Sequence, residues 1–251
     1  MRSFQNALAA TLLVFLSLFL WRIGYRDSDL AVLALIPMSA VICMGAWPLM
    51  LEPWRAKLRV ALREDSTMGR ILTGRLRAAF LTLVFTCTAV TVLAWRALDS
   101  SLDEVVALTC GFVLAATMFA KAQSTLLRHF HTPFARSIAT SLTTWTVALP
   151  FTVILAYSTW SSVKMPGMLL DAGFLEAVTI GMDRLPERGG WIAAILSVPY
   201  GYEAAKLWIV VALRDYPIVG ALFSLDTALI AFVLCRTAIV IAQFTDRHIW
   251  K

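Results

Sequence analysis

Long apolar runs separated by short polar segments constrain the fold of this chain more than any other feature. A helix needs about 20 apolar residues to cross about 30 Å of hydrocarbon. Five runs near that length are easy to delimit, and the region before the chain end adds a sixth. They are Asn6–Trp21, Leu30–Leu51, Ala78–Trp95, Val105–Ala120, Ser137–Trp160 and Ile218–Phe244. The sequence therefore predicts an all-α, polytopic transmembrane bundle of about six spanning helices.

The composition supports the same class of protein. Hydrophobic residues make up 59% of the chain and charged residues only 15%, whereas soluble domains have about 45 to 50% and about 25%. Such a chain would not stay dissolved without a bilayer. Because the sequence has neither an internal repeat nor a low-complexity linker, we expect residues 1–251 to form one integral membrane domain.

The first apolar run could be the hydrophobic part of a secretory signal peptide, since it follows a short basic start at Arg2. A signal peptide ends in a small-residue cleavage site, and the segment from Trp21 to Tyr25 does not provide one. We therefore expect the first run to remain as a membrane helix.

The distribution of basic residues predicts the orientation, because loops rich in Lys and Arg stay on the cytoplasmic side. The Glu52–Arg77 loop carries seven bases and three acids, and the Lys121–Arg136 loop carries three bases and no acid. The intervening loops, Arg96–Glu104 and Ser161–Gly190, hold more acids than bases. The pattern predicts a cytoplasmic N-terminus in a bacterial-type inner membrane, and it explains the net charge of +6 without nucleic acid as a partner.

The Trp191–Leu213 stretch decides how many helices cross. It is apolar but contains Pro199, Gly201, Glu203 and Lys206. A full crossing gives seven helices and places the basic tail outside, whereas an interfacial or re-entrant segment gives six and returns the tail to the cytoplasm. The positive-inside rule favours six. The long Ser161–Gly190 connection has its own apolar pattern, which predicts a helix lying on the outer interface.

Ionisable residues inside apolar runs are candidates for a substrate or ion path, because each costs about 2.5 to 3.5 kcal/mol at the bilayer centre. Asp226 lies nine residues after Pro217, about 13 Å along a helix, which suggests a position near mid-membrane. It could serve transport, or it could be a buried structural partner of a base. An Asp226→Asn variant should lose flux in the first case and lose assembly in the second.

Glu203 and Lys206 are three residues apart and would share one helix face, so we expect their charges to lie close together. Together with Tyr200 and Tyr202 they could line a polar path. The alternative is a local salt bridge with a purely structural role.

A basic ridge is predicted on the cytoplasmic side, where Arg55, Arg59 and Arg63 recur every fourth residue. Such a helix could bind anionic lipid headgroups, or it could dock a soluble subunit.

Motifs of soluble enzymes are missing from the sequence: it contains no P-loop, no HExxH helix and no GxSxG elbow. His129 and His131 flank Phe130 in a loop without a third metal ligand nearby, and the apolar runs contain no histidine that could ligate haem. We therefore expect neither a metal nor a cofactor, and no catalytic residue is assigned.

Three functions remain open. The first is a transport, pore or permease subunit that works in a homo-oligomer or with other membrane or cytoplasmic subunits, and it depends on the candidate path residues. The second is a non-catalytic scaffold or accessory subunit. The third is an intramembrane enzyme acting on lipid through Glu203, Asp226 or His129.

Overall fold

The computed structural model describes residues 2–61, 74–100, 102–162, 172–183, 190–213 and 218–248, together with the single residues 185 and 216. The described chain is helical and contains no strand, which confirms the all-α prediction. A short 3-10 helix covers Asp29–Ala34. The eight α-helices are α1 (Arg2–Gly24), α2 (Leu35–Ala61), α3 (Arg75–Asp99), α4 (Leu102–Leu126), α5 (Thr132–Ser162), α6 (Phe174–Met182), α7 (Trp191–Ala212) and α8 (Ile218–His248).

Five of these helices contain a described segment long and apolar enough to cross a membrane, namely α2, α3, α4, α5 and α8. They correspond to five of the six predicted runs. The sixth run lies in α1, whose apolar segment Thr11–Gly24 is shorter. The chain is thus a polytopic helical membrane protein.

The last helix, α8, forms the centre of the bundle. Its apolar segment is 67% buried, against 28 to 39% for the other four spanning segments. From Thr237 to Gln243, about two turns, every side chain is excluded from the surface, including Ala238, Ile239, Val240 and Ile241. A helix that is apolar on every side is stable only when it is surrounded, and α8 packs against each of α1 to α5.

Two hydrogen bonds fix the relative height of α1 and α3. The Trp21 indole N–H donates to the carbonyl oxygen of Ala94 at 3.0 Å, and the Arg22 guanidinium donates to the carbonyl oxygen of Ser100 at 3.3 Å. The C-terminal ends of both helices therefore lie at one end of the bundle, which we call the distal end. The N-terminus of α1 lies at the opposite end.

We call that opposite end the basic end, because charged residues from three helices meet there. Glu52 near the end of α2 contacts Arg136 at the start of α5 and Arg247 near the end of α8. The N-terminus and the predicted cytoplasmic segments thus share one end of the bundle. Segments at the same end of a bundle are separated by an even number of crossings, which is what a shared cytoplasmic side requires.

Thiol labelling tests which end faces the cytoplasm. Arg26 at the distal end and His129 at the basic end are exposed, so each is replaced by cysteine after the three exposed native cysteines are changed to serine; Cys235 is buried and is kept. A membrane-impermeant maleimide is expected to label position 26 in intact cells and position 129 only after permeabilisation. Labelling of position 129 in intact cells would reverse the predicted orientation.

The α6–α7 pair packs on itself more extensively than on the rest of the bundle. A Cβ atom on Gly181 would overlap Ala204, and one on Gly201 would lie 3.0 Å from Met182, so the two helices are in close contact. Among the described side chains of α7, those that join the main core lie in its first half and include Ile192, Leu196 and Tyr200. Small residues allow this approach, as in other membrane helix pairs.

The Trp191–Leu213 stretch forms α7, one continuous helix of 22 residues that contains Pro199, and its interfacial or re-entrant placement stays a prediction. Proline removes one backbone hydrogen bond, which a helix packed on a neighbour can tolerate. The helix predicted within Ser161–Gly190 is α6, which has only nine residues, and its position on the outer interface stays a prediction. α7 begins at the distal end, where Gly190 lies beside the Asp29 carboxylate.

Candidate functional site

Glu203 joins α7 to the main bundle through an ion pair. Its carboxylate lies 3.6 Å from the guanidinium of Arg96, three residues before the end of α3, and each side chain is 29% exposed. Sequence spacing indicated Lys206 as the neighbour of Glu203, and it could not indicate a partner from another helix. The Lys206 ammonium lies 6.0 Å from the centre of the Tyr202 ring. Half-buried ion pairs of this kind are more strongly coupled than exposed ones.

The two tyrosines grouped with this pair lie on different faces of α7. Tyr200 is 4% exposed and belongs to the main core, whereas Tyr202 is 52% exposed. Residues two apart on a helix point about 200° apart. Tyr200 and Tyr202 therefore point to different sides of α7, and the polar path that they were expected to share stays a prediction.

Asp226 lies in α8, twenty-one residues before Arg247, which corresponds to about 31 Å along the helix. Since Arg247 is at the basic end, the backbone of Asp226 is near the distal end, about one hydrocarbon thickness away. The mid-membrane position expected from Pro217 assumes that the helix begins at the bilayer surface, whereas α8 has 31 residues and is about 46 Å long, longer than one crossing. The Asp226 side chain is outside the described residues, so its role stays a prediction.

The predicted basic ridge is described only at its start. α2 continues to Ala61 and carries a half-buried Arg55. The Arg59 side chain and the whole of Arg63 lie outside the described residues. Near this ridge, the Arg77 guanidinium stacks 4.0 Å from the centre of the Trp54 ring, which links the end of α2 to the start of α3.

Glu52 is a charge hub that the sequence did not reveal. One carboxylate oxygen accepts a hydrogen bond from Arg136 at 3.1 Å, and the other accepts one from Arg247. The three side chains are between 19% and 31% exposed. One carboxylate thus holds two guanidinium groups from α5 and α8 against α2. The sequence alone identifies these three residues only as charges in basic loops or in the basic tail.

A groove with a cavity volume of about 120 Å³ runs between α1, α3 and α4, and Leu234 of α8 forms part of its floor. Its walls are apolar except at the distal mouth, where Arg22, Arg96 and Ser100 lie. The remaining lining residues are Val14, Phe15, Leu18, Phe19, Leu93, Ala97, Val105, Leu108 and Phe112. An apolar groove with a few convergent polar groups is the usual form of a small-molecule site. Arg96 belongs both to this groove and to the ion pair with Glu203.

Within the described residues, no three His, Cys, Asp or Glu side chains cluster in a way that could hold a metal ion. No protein-family model, no curated protein and no solved structure matches the chain. The fold and its buried apolar helices define the class, which is a polytopic α-helical integral membrane protein.

Proposed function

We propose that this chain is a transport or permease subunit of a bacterial-type inner membrane, with its basic end toward the cytoplasm. The observation that carries the proposal is the Arg96–Glu203 ion pair. Charged groups in membrane helices are costly, and they often mark the pathways or moving contacts of transporters. Here the pair joins two groups of helices that pack more closely within themselves than with each other.

The α6–α7 pair is the candidate moving element. The contacts at Gly181 and Gly201 hold its two helices together as one unit. Among the described residues, its attachments to the bundle include the first half of α7 and the Glu203 carboxylate. Transporters commonly move one group of helices against another while the groups themselves stay rigid. In this proposal, opening the ion pair lets the α6–α7 pair move at the distal end.

The proposed path does not run through the centre of one chain, since the buried side chains of α8 fill that centre. It runs beside α7, or between copies or partner chains. This is why we propose a subunit of a homo-oligomer or of a larger membrane complex. A basic surface around Arg55, Arg59 and Arg63 would face the cytoplasm and could bind lipid headgroups or a soluble subunit.

Release of entrapped carboxyfluorescein from vesicles reconstituted with the full chain tests the proposal. We expect wild-type protein to release the dye faster than protein-free vesicles. Glu203→Gln should release it about fivefold faster again, because removing a half-buried ion pair lowers the barrier to opening by about 1 kcal/mol. A charge exchange, Arg96→Glu with Glu203→Arg, should restore the wild-type rate.

Glu176→Gln is the matched control, since Glu176 is an exposed acid on the same helix pair and its cap to the Gly173 N–H can be kept by glutamine. Its release rate should equal the wild-type rate. Wild-type vesicles that release no more dye than empty ones would contradict transport and favour the scaffold, whose supporting observation is the closely packed α8. A failure of the charge exchange to restore the rate would contradict the role of the ion pair.

A further inference from the structure

We propose that the groove between α1, α3 and α4 binds an anionic phospholipid of the surrounding bilayer. One acyl chain lies along the apolar walls, and the phosphate contacts Arg22 and Arg96 at the distal mouth. Lipid binding at this groove goes beyond the transport function and does not depend on it.

The length of the groove fits an acyl chain. Along α1 the lining residues Val14, Leu18 and Arg22 recur every four positions and therefore form one helix face. From Val14 to Arg22 the helix rises by about 12 Å. One leaflet of the hydrocarbon core is about 15 Å deep, since the whole core is about 30 Å thick. The apolar part of the groove thus matches one leaflet of chain below a headgroup.

The groove is open to the side on which lipid surrounds the bundle. Phe19 on its α1 wall is 60% exposed, and Arg22 is also exposed. Its floor is closed by buried Val14 and Leu234. A lipid can therefore enter laterally from the bilayer, and its chain exchanges a lipid environment for a protein one without crossing water.

The mouth is positively charged and its arginines are held in place by neighbours. Arg22 donates to the Ser100 carbonyl oxygen at 3.3 Å and lies 3.5 Å from its hydroxyl, and Arg96 faces Glu203 at 3.6 Å. A guanidinium has five N–H donors, so each arginine keeps donors for a further acceptor. The forked geometry of these donors suits the oxygens of a phosphate.

Membrane orientation does not account for these two arginines. The positive-inside rule explains bases at the basic end, but Arg22 and Arg96 lie at the distal end, which the rule leaves poor in bases. Charge complementarity to an anionic headgroup accounts for the two arginines at the distal end. A lipid with a zwitterionic headgroup has no net charge and offers less attraction.

Native mass spectrometry of the full chain in detergent, titrated with phosphatidylglycerol or with phosphatidylcholine of the same acyl chains, tests the site. We expect the wild-type protein to prefer phosphatidylglycerol. The double variant Arg22→Gln, Arg96→Gln should bind it roughly 30-fold more weakly, since each basic residue contributes about a tenfold or smaller factor to headgroup attraction. Arg26→Gln is the control, because it removes an exposed arginine one helical turn beyond Arg22. It should bind as the wild type does.

Ala97→Phe tests the groove without altering either charge. Ala97 lines the groove next to Arg96, so an added ring should occupy space that the lipid needs below its headgroup and weaken phosphatidylglycerol binding to a similar degree. Inorganic phosphate at the same concentration should not displace the lipid, because the chain supplies part of the affinity. Displacement by phosphate would overturn the lipid assignment in favour of a simple anion site.

Equal binding of the two lipids, an equal loss in Arg26→Gln, or full binding by Ala97→Phe would also overturn the proposal. The proposed lipid site and the proposed transport function can be contradicted independently of each other. Selective lipid binding without dye release would contradict transport alone, whereas dye release without lipid selectivity would contradict this site alone.

Discussion

Glu52→Gln is expected to lower the free energy of unfolding by about 2 to 3 kcal/mol, between the cost of breaking an exposed ion pair and that of breaking a buried one. The substitution keeps the shape of the side chain but removes the charge that two guanidinium groups share. Arg136 and Arg247 would then lie close together at the basic end with their repulsion uncompensated. In a chain of this size the melting temperature should fall by about 5 to 10 °C.

Single removal of either arginine is the informative comparison. Arg136→Met or Arg247→Met leaves a balanced pair with Glu52, so each should cost less than Glu52→Gln. Glu176→Gln, on an exposed acid, should leave the melting temperature unchanged. Unfolding is measured as the loss of the monodisperse peak in size-exclusion chromatography after heating. If the Glu52→Gln variant has the same melting temperature as the wild type, Glu52 does not hold α2, α5 and α8 together.

The helices could be predicted from the sequence because spanning length is a local property. A run of about 20 apolar residues needs no knowledge of its neighbours to be recognised as a crossing. Five predicted runs therefore correspond to helices that could span a membrane. The central position of α8 also had a local signal, since its apolar residues surround the helix and do not form one stripe.

The charge partners could not be predicted, because they are distant in sequence. Arg96 and Glu203 meet across α3 and α7, and Glu52 reaches Arg136 and Arg247, which are 84 and 195 residues away. Spacing along one helix reveals only neighbours three or four residues apart. For this reason the sequence indicated Lys206 beside Glu203 and had no means of finding Arg96.

The depth of Asp226 illustrates a further limit. Its distance from Pro217 measures a position along α8, and it measures membrane depth only if the helix begins at the bilayer surface. α8 has 31 residues and extends beyond one hydrocarbon thickness. The position of a helix relative to the membrane follows from its packing against other helices, here from the contact of Arg247 with Glu52.

Gly45→Ala is expected to destabilise the protein by about 3 kcal/mol, at the upper end of the range for an overpacked core. A Cβ atom on Gly45 of α2 would overlap the backbone carbonyl oxygen of Val240 on α8. A backbone atom of the central helix cannot rotate away, so the two helices would have to separate. Separation would disturb the packing of Ile42 and Ala46 of α2, which are fully buried. Gly45→Val, with its branched side chain, should yield little folded protein.

The sign of this effect distinguishes close helix contact from helix propensity. Alanine in place of glycine within an uncrowded helix is stabilising by about 1 kcal/mol, so a loss of stability must come from the contact with Val240. Gly111→Ala is a graded comparison, because its Cβ would lie 3.1 Å from the Phe151 ring, which can turn. Gly173→Ala meets nothing within 4 Å and should be close to neutral. Melting temperatures measured in one detergent should therefore fall most for Gly45→Ala, less for Gly111→Ala and least for Gly173→Ala. Equal stability of the Gly45 and Gly173 variants would mean that α2 and α8 do not approach at Val240, and the central position of α8 would then lose its closest contact.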